Sequence, residues 1–356
     1  MMPIAAFVAA AKTEWETDPE SFWASAISVT ENRAAPSIGK PFLKETGRQF
    51  NPAVLGSLLR LKENIWSTPE GSARTLLKLT FASVLIDSSN LKRAPCLGYT
   101  TKLGLTAETP FDLFRQAARR IKEDLQLLQK HQEKWGPKPE IQLGNSGKVL
   151  LQESSIDLAI TSPPYVNGLD YVMNYKIDLA WMDFIRSYEE LARLRASMVA
   201  CDNIPRGTAA GHEPSAFIRS DQWVTAIART IGRNIDTKGA YRRDDMGAIV
   251  TKYFDDLIPV IENVYRSLRP GARFVVVNGD SLIAGTYVPG DMIFARLAAQ
   301  AGFTVEAFDV ARTRRSGQRR GFVLRESVVT LRKPGPYTPP RAAKPIHGLE
   351  DFDPPN

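Results

Sequence analysis

The sequence is poor in the residues that build disulfides and metal sites. Its 356 residues include two cysteines and three histidines. The positions of these residues match no common metal-ligand spacing: Cys96, Cys201, His131, His212 and His347. We therefore expect no bound metal and no structural disulfide, and a reducing cytoplasm as the location.

Long apolar segments are also missing. No run reaches the roughly 18 residues that a membrane-spanning helix needs, and the first residues, Met1–Phe7, lack the basic region of a signal peptide. We find no internal repeat. Hydrophobic residues make up 43% of the chain and charged residues 24%, which is typical of a globular protein without membrane association.

The charge balance is basic. The chain has 46 lysines and arginines against 39 acidic residues, so its formal net charge is +7, and its pI is about 9.3. A basic surface attracts phosphate and speeds encounter with polyanions. This favours a nucleic-acid partner, although many basic proteins have none.

The pattern along the chain predicts four segments. Residues 1–15 contain a short helix, because Pro3 suits a first turn and the apolar residues after it share one face. Residues 16–137 are mostly helical after an irregular start. Residues 138–333 alternate between strand and helix patterns, with a polar, irregular stretch at about 201–245. The proline-rich residues 334–356 predict a tail.

Several short apolar runs in the third segment predict strands. They are Ile141–Leu143, Ser155–Ile160 and Phe274–Val277, with Thr304–Val310 and Ser327–Leu331 as an antiparallel pair. Helices are predicted between them, and such alternation is the pattern of an α/β sheet with parallel strands. Ligands in these sheets lie at the carboxyl ends of the strands. The segment Thr161–Tyr165 comes directly after one of those ends.

The sequence Thr-Ser-Pro-Pro-Tyr at this position has a definite chemistry. Two prolines fix their φ angles and remove two N–H donors, which leaves the Ser162 hydroxyl and the carbonyls near Pro163 as acceptors. Tyr165 supplies an aromatic face. These groups suit a planar base with an exocyclic amine, because the base can stack on the ring while its N–H groups point at the acceptors. Hydrogen bonds to those protons favour a pyramidal amine that can attack a methyl sulfonium. A base in a duplex must first be flipped out.

The run from Ile156 to Tyr171 (Ile-Asp-Leu-Ala-Ile-Thr-Ser-Pro-Pro-Tyr-Val-Asn-Gly-Leu-Asp-Tyr) resembles the catalytic motif of the DNA amino-methyltransferases. Leu268–Val277 resembles the approach to their fifth strand and the strand itself. Arg320–Ser327 resembles the hairpin near their C-terminus. The resemblance covers about residues 138–333 well and residues 1–137 loosely.

This resemblance implies a Rossmann-like class I methyltransferase sheet with a mostly helical N-terminal insertion, and S-adenosyl-L-methionine as cofactor. It implies cytosine-N4 methylation of DNA, because the serine form of the motif is closest to that branch, in a restriction-modification or other defence setting. The catalytic residues would be Ser162, Pro163, Pro164 and Tyr165. The cofactor contacts would be Asn145, Thr161 and Ser162, and the base pocket would include Asn167, Asp170 and Tyr171.

The glycine-rich cofactor turn of such enzymes is not found. Gly207–Gly211 follows no predicted strand, and Gly279–Gly285 sits where the fifth strand belongs. Pro3–Trp15 resembles the helix that follows the second strand, so the sheet would be incomplete in this chain. Our hypothesis is that the first two strands lie on a partner polypeptide, or were lost by truncation or a misassigned start. The exposed strand edge would then require a partner or make the chain poorly soluble alone.

Two basic regions are candidates for DNA contacts. Arg312–Arg320 holds five arginines in nine residues, of which we assign Arg314, Arg315, Arg319 and Arg320 to phosphates. Residues 201–245 form a candidate target-recognition region. Its arginines are Arg206, Arg219, Arg233, Arg242 and Arg243.

Three alternatives stay open. Adenine-N6 methylation is the nearest one, and an RNA or protein amino-methyltransferase is another, since the same turn recurs on those substrates. A non-catalytic DNA-binding remnant or subunit would be a protein of a different class.

Overall fold

The computed structural model describes residues 2–131, 136–201, 204–205, 207–209, 211–238, 243–316 and 321–336. The chain divides into two compact units. We call residues 2–143 and 171–194 the helical unit, and residues 144–170 together with the described residues from 195 onwards the sheet unit.

The helical unit begins with six helices interrupted late by a small hairpin. These elements are α1 (Pro3–Ala11), α2 (Pro19–Glu31), α3 (Thr46–Gln49), α4 (Pro52–Trp66), α5 (Ser72–Val84), β1 (Leu91–Arg93), β2 (Leu97–Tyr99) and α6 (Thr109–Gln129). Later come α7 (Tyr171–Asn174), α8 (Lys176–Trp181) and α9 (Tyr188–Ala196). Side-chain caps start two of the long helices: Asp18 accepts from the Ser21 N–H at 2.7 Å and Asn51 from the Val54 N–H at 2.8 Å.

Trp181 lies in the core of the helical unit, and its side chain is fully buried. Its ring centroid is 5.3 Å from that of Phe50 and 6.0 Å from that of Phe81. Buried charges near it are paired, because an isolated charge would pay a large desolvation cost. Asp178 pairs with Arg93. The segment 171–194 thus packs with the N-terminal helices, and α1 lies in the same unit.

The sheet unit contains β3 (Ile156–Thr161), β4 (Leu268–Gly279), β5 (Ser281–Ile283), β6 (Thr286–Val288), β7 (Thr304–Arg315) and β8 (Val323–Arg332). Its helices are α10 (Ala216–Ser220), α11 (Gln222–Lys238), α12 (Met246–Ser267) and α13 (Gly290–Gln300). The main sheet has four strands in the order β3-β4-β8-β7. β3 runs parallel to β4, and the other two pairs are antiparallel. This mixed sheet with flanking helices confirms the predicted α/β class.

One face of the sheet carries the core of the unit. Phe274, Val276, Val329 and Leu331 are buried there and pack with helices α12 and α13. The opposite face is much less covered at β3, where Leu158 is 50% and Ile160 69% exposed. Among the described strands, β3 has a neighbour on one edge only.

The prediction of a strand at Ile141–Leu143 is wrong. These residues form no strand, and Ile141 and Leu143 are 38% and 53% exposed. A strand of three residues depends on a neighbouring ladder for its hydrogen bonds, and no described strand lies beside this segment. The predicted antiparallel pair is confirmed: Val305 is opposite Leu331 and Val310 opposite Ser327.

The described residues were searched for membrane-spanning helices and for metal-binding clusters. None of the helices they form is long and apolar enough to cross a membrane. No group of three or more His, Cys, Asp or Glu side chains among them is placed to hold a metal ion. Most of the predicted tail, residues 337–356, lies outside the described residues.

Candidate active site

Strand β3 delivers the Ser-Pro-Pro-Tyr turn to the rim of the sheet. Thr161 is its last residue and pairs with Val276 of β4. The chain then leaves the ladder, because neither Pro163 nor Pro164 has an N–H to continue it. Ser162 is exposed, and no described residue is hydrogen-bonded to its hydroxyl. The turn therefore presents this hydroxyl outward at the carboxyl end of a parallel strand, where α/β sheets bind ligands.

Helix α12 anchors the turn through a buried tyrosine. The Tyr253 hydroxyl donates a hydrogen bond to the Pro164 carbonyl at 2.8 Å, and the Tyr253 side chain is fully buried. Burial raises the pKa of Tyr253 above its ordinary value, so the hydroxyl stays a donor. The Pro164 carbonyl is thus engaged inside the protein, and the Ser162 hydroxyl and Pro163 carbonyl are the turn's candidate acceptors for a ligand.

Tyr165 is half-buried and packs closely on the end of β4. A Cβ at Gly279 would lie 3.1 Å from the Tyr165 Cε2 atom, so the glycine makes room for the ring. The Tyr165 carbonyl accepts from the Gly168 N–H at 2.7 Å, and a Cβ at Gly168 would lie 2.6 Å from that oxygen. Burial, together with a hydrogen bond to Glu326, raises the pKa of Tyr165. Gly168 thus has no room for a side chain against the Tyr165 carbonyl, and Gly279 lies in tight contact with the Tyr165 ring.

Two of the predicted base-pocket residues are engaged within the sheet unit. The Asn167 Oδ1 accepts from the Ser281 hydroxyl at 2.8 Å, which ties the loop after the turn to β5. Asp170 pairs with Arg195 at 2.5 Å, and both side chains are largely buried. Tyr171, the third, begins α7 in the helical unit and is 41% exposed.

Asn145 was assigned to the cofactor by resemblance. It is exposed, and its Oδ1 accepts from the Gly147 N–H at 3.0 Å. That contact closes an Asx turn, which is an ordinary use of asparagine in a loop. Its backbone carbonyl also accepts from the N–H groups of Lys148 and Val149 at 2.7 and 2.8 Å.

A buried polar cluster at the end of β4 was not predicted from the sequence. Its members are fully buried and lie at the end of β4, directly after it or on neighbouring elements: Asn278, Asp280, Ser281, Asp291 and Ser327. The signal was available in the run Asn-Gly-Asp-Ser that comes directly after a buried strand.

Arg325 of β8 joins the two carboxylates of this cluster. Its Nε lies 3.3 Å from Asp280 and 3.1 Å from Asp291. Asp280 also accepts from the Tyr287 hydroxyl at 2.5 Å, and Asp291 from the Ser327 hydroxyl at 2.6 Å. Burial, and the neighbouring Asp291, raise the pKa of Asp280. The network ties β8 and α13 to the segment beside Tyr165.

The predicted phosphate-binding arginines have different environments. Arg312 pairs with Glu326, and Arg314 donates to the Asp280 carbonyl at 2.8 Å. Arg315 is exposed. Arg319 and Arg320 lie outside the described residues.

The arginines of 201–245 are also divided. Arg243 is buried and pairs with Asp245 at 2.6 Å, so it holds its own loop. Arg219 is exposed and donates to the Pro214 carbonyl at 2.7 Å, and Arg233 is exposed on α11. Arg206 and Arg242 lie outside the described residues.

The described residues do not form a cradle for S-adenosylmethionine. The space above Gly279 is filled by the Tyr165 ring, and a Cβ at Gly290 would lie 2.5 Å from the Gly279 carbonyl oxygen. Gly207 has a positive φ of 83° in open surroundings, but no strand leads into it. A glycine-rich turn binds a cofactor when it follows a strand and opens a helix. Among the described turns of the sheet unit, the one at Pro289 follows β6 and opens α13, but Gly290 is its single glycine.

Comparison with known proteins finds similarity to type II methyltransferases. The chain is 27% identical over 192 residues to the type II methyltransferase M.AvaI of Nostoc sp., matching 51% of this chain and 39% of the relative. It is 24% identical over 203 residues to the type II methyltransferase M.BsoBI of Geobacillus stearothermophilus, matching 52% of this chain and 40% of the relative. The chain thus spans about two fifths of the length of these relatives. No family model matches it.

Solved structures show a weaker likeness. A DNA modification methylase candidate from Thermus thermophilus is 17% identical over 56% of this chain and 55% of its own, with a TM-score of 0.26. The same protein complexed with S-adenosyl-L-methionine matches 29% of this chain and 45% of its own, at 22% identity and a TM-score of 0.22. Scores this low do not define a shared fold.

The chain thus resembles type II methyltransferases in sequence over about half of its length, and it carries a parallel strand that ends in Ser-Pro-Pro-Tyr. The relatives that it matches are type II methyltransferases.

Proposed function

We propose that the chain binds an extrahelical DNA base in the turn Ser162–Tyr165 and presents its exocyclic amine for methylation. One observation carries this proposal: an exposed serine hydroxyl, two prolines and a half-buried tyrosine follow the carboxyl end of β3. S-adenosyl-L-methionine is the methyl donor of the proposed reaction, and no metal takes part.

The chemistry of the turn follows from its groups. The amine of a base is a poor nucleophile, because its lone pair is delocalised into the ring. The Ser162 hydroxyl and the Pro163 carbonyl accept hydrogen bonds from the amine protons and favour the pyramidal form. Tyr165 supplies the stacking face, and such stacking contributes about 1 to 3 kcal/mol for a base. Flipping removes the base from the duplex and lets it reach the turn.

The serine form of the motif favours cytosine-N4 over adenine-N6 methylation. The proposed setting is restriction-modification, and the proposed location is the cytoplasm. Adenine-N6 methylation is the second candidate, and the same acceptors serve an adenine amine. The Asn167 Oδ1 accepts from the Ser281 hydroxyl, which leaves the Asn167 Nδ2 group to contact a base. Arg315 and Arg314, with Arg319 and Arg320, are the proposed phosphate contacts.

A partner polypeptide that holds the cofactor is part of this proposal. The described residues provide no cradle, and the β3 edge has no neighbour among them. Leu158 and Ile160 are both exposed beside that edge, and an apolar sheet face is ordinarily buried against another layer. A strand-bearing half with a glycine-rich turn would pair with β3 and place the methyl donor next to Ser162.

The experiment expresses the chain with and without the product of an adjacent reading frame that encodes such a half. Mass spectrometry of the DNA separates N4-methylcytosine from N6-methyladenine. Ser162→Ala should abolish methylation, while Ser155→Ala, at the approach to the same strand, should leave it unchanged. Equal methylation by wild type and Ser162→Ala would refute the site. Unmethylated DNA with a folded pair would favour a DNA-binding remnant.

The partner has its own test. Calorimetric titration of the purified chain with S-adenosylmethionine should show no tight binding. Tight binding by the chain alone would overturn the partner proposal and leave the base site untouched.

A further inference from the structure

We infer that Glu326, held by Arg312, is a positioning residue that fixes the orientation of the Tyr165 ring. Its role in base binding rests on the proposed function, whereas the contact itself does not. The three residues come from the turn after β3, from β8 and from β7, so that the C-terminal hairpin sets the geometry of the turn.

The contact joins the Tyr165 hydroxyl, which donates, to the Glu326 carboxylate, which is a charged acceptor. Glu326 is opposite Gly279 in the β4–β8 ladder, so its side chain leaves the sheet on the face where the Tyr165 ring covers Gly279. This places the Glu326 carboxylate next to the Tyr165 hydroxyl, and a hydrogen bond between them raises the pKa of Tyr165 and lowers that of Glu326. Glu326 is only 13% exposed, so water competes little for this bond. A hydrogen bond to a charged acceptor is stronger than one between neutral groups. The phenol is therefore held at its hydroxyl, while Gly279 packs against the Cε2 and Cζ atoms of the ring.

Arg312 keeps the Glu326 carboxylate charged and in place. The two residues are directly opposite each other in the β7–β8 ladder, and their side chains form an ion pair. The Arg312 hydrogen bond lowers the pKa of Glu326 below its ordinary value, against the effect of burial. At neutral pH the carboxylate is thus ionised and acts as an acceptor for Tyr165.

A backbone irregularity accompanies this arrangement. The β7–β8 register shifts between Val310 and Arg312, and such bulges re-aim side chains next to functional sites. Arg312 is the first arginine of the basic run, so this member of the run serves the tyrosine rather than a phosphate.

A structural ion pair in the same sheet offers the matched comparison. Glu306 pairs with Arg273 at 2.6 Å, and it too joins two strands, but no tyrosine among the described residues is hydrogen-bonded to it. If Glu326 only stabilised the hairpin, its replacement would resemble that of Glu306. The positioning role predicts instead that replacing Glu326 changes the environment of Tyr165 and that replacing Glu306 does not.

The test uses the full chain with 3-fluorotyrosine at its ten tyrosines and fluorine NMR. Tyr165→Phe identifies the Tyr165 resonance by its loss. Glu326→Ala should move that resonance strongly, Glu326→Gln, which keeps an amide acceptor, should move it less, and Glu306→Gln should leave it in place. Arg312→Gln should give an intermediate shift, which keeps the test open if Glu326→Ala fails to fold. A Tyr165 resonance that is unchanged in Glu326→Gln and Arg312→Gln would overturn the inference.

A second measurement separates this inference from the proposed function. In an active preparation, Glu326→Gln should lower kcat by roughly tenfold, because small misplacements of a positioning group are costly to a reaction rate. In Tyr165→Phe the same change should have no further effect. If Ser162→Ala kept full methylation while Glu326→Gln still moved the Tyr165 resonance, the proposed function would fail and the positioning contact would stand.

Discussion

The fully buried hydroxyl of Tyr253 donates to the carbonyl oxygen of Pro164, with 2.8 Å between the two oxygens. The bond joins the core helix α12 to the turn that carries Ser162 and Tyr165. The two prolines fix φ angles within this turn, and the bond from Tyr253 adds a tether to the core. The hydrophobic core of the sheet unit thus holds the candidate base site in place.

Tyr253→Phe tests this anchor. Removing the hydroxyl leaves a buried carbonyl without its donor, which costs about 1 to 2 kcal/mol of the free energy of unfolding. Methylation should fall with it, because the turn loosens. Tyr265→Phe, also on α12, is the control and should change both quantities less. Denaturant unfolding and methyl incorporation measure the two effects, and a stability equal to wild type in Tyr253→Phe would contradict the anchor.

Asp178 predicts a pH dependence in the helical unit. Burial raises the pKa of Asp178 to about 6, against the lowering effect of its partner Arg93, from 3.8 as the ordinary value. A raised folded-state pKa contributes stability below about pH 4 that is lost as the pH rises through about 6. Asp178→Asn should therefore flatten the change in unfolding free energy between about pH 4.5 and 7.5.

The matched control for that change is Asp112→Asn. Asp112 is 58% exposed and pairs with Arg115 within α6, so its replacement also removes one carboxylate but leaves the buried Asp178–Arg93 pair intact. Guanidinium unfolding at several pH values provides the measurement. An unaltered slope in Asp178→Asn would show that this carboxyl does not cause the dependence.

The uncovered face of β3 predicts self-association of the chain when it is alone. Ile160 is 69% exposed there, and an exposed apolar strand beside an unpaired edge attracts other chains. Ile160→Lys should reduce association in sedimentation velocity. Leu103→Lys, at a position 92% exposed in the helical unit, should not. Equal association of both variants and wild type would argue against an adhesive β3 face.

Arg315 predicts a salt-dependent contact to DNA. It is exposed at the end of β7, where a phosphate can reach it. Arg315→Ala should weaken binding to a duplex of any sequence and reduce the slope of log affinity against log salt by about 1. Arg193→Ala, 68% exposed on α9, is the control. The same slope in Arg315→Ala and wild type would remove Arg315 from the interface.

Local patterns sufficed for much of this protein. The α/β class, the strand before Ser162 and the antiparallel pair near the C-terminus were predicted from apolar runs and turn residues, and the structure confirms them. These features depend on residues that are neighbours in the chain, so the sequence alone determined them.

Tertiary structure decided which groups meet at the turn. Glu326 reaches Tyr165, and Arg325 reaches Asp280, because the register of β8 beside β4 and β7 places them there. No local pattern encodes a register between distant strands. The same dependence explains the wrong strand at Ile141–Leu143: three alternating residues form a strand only beside a neighbour, and the fold of the described chain places none there.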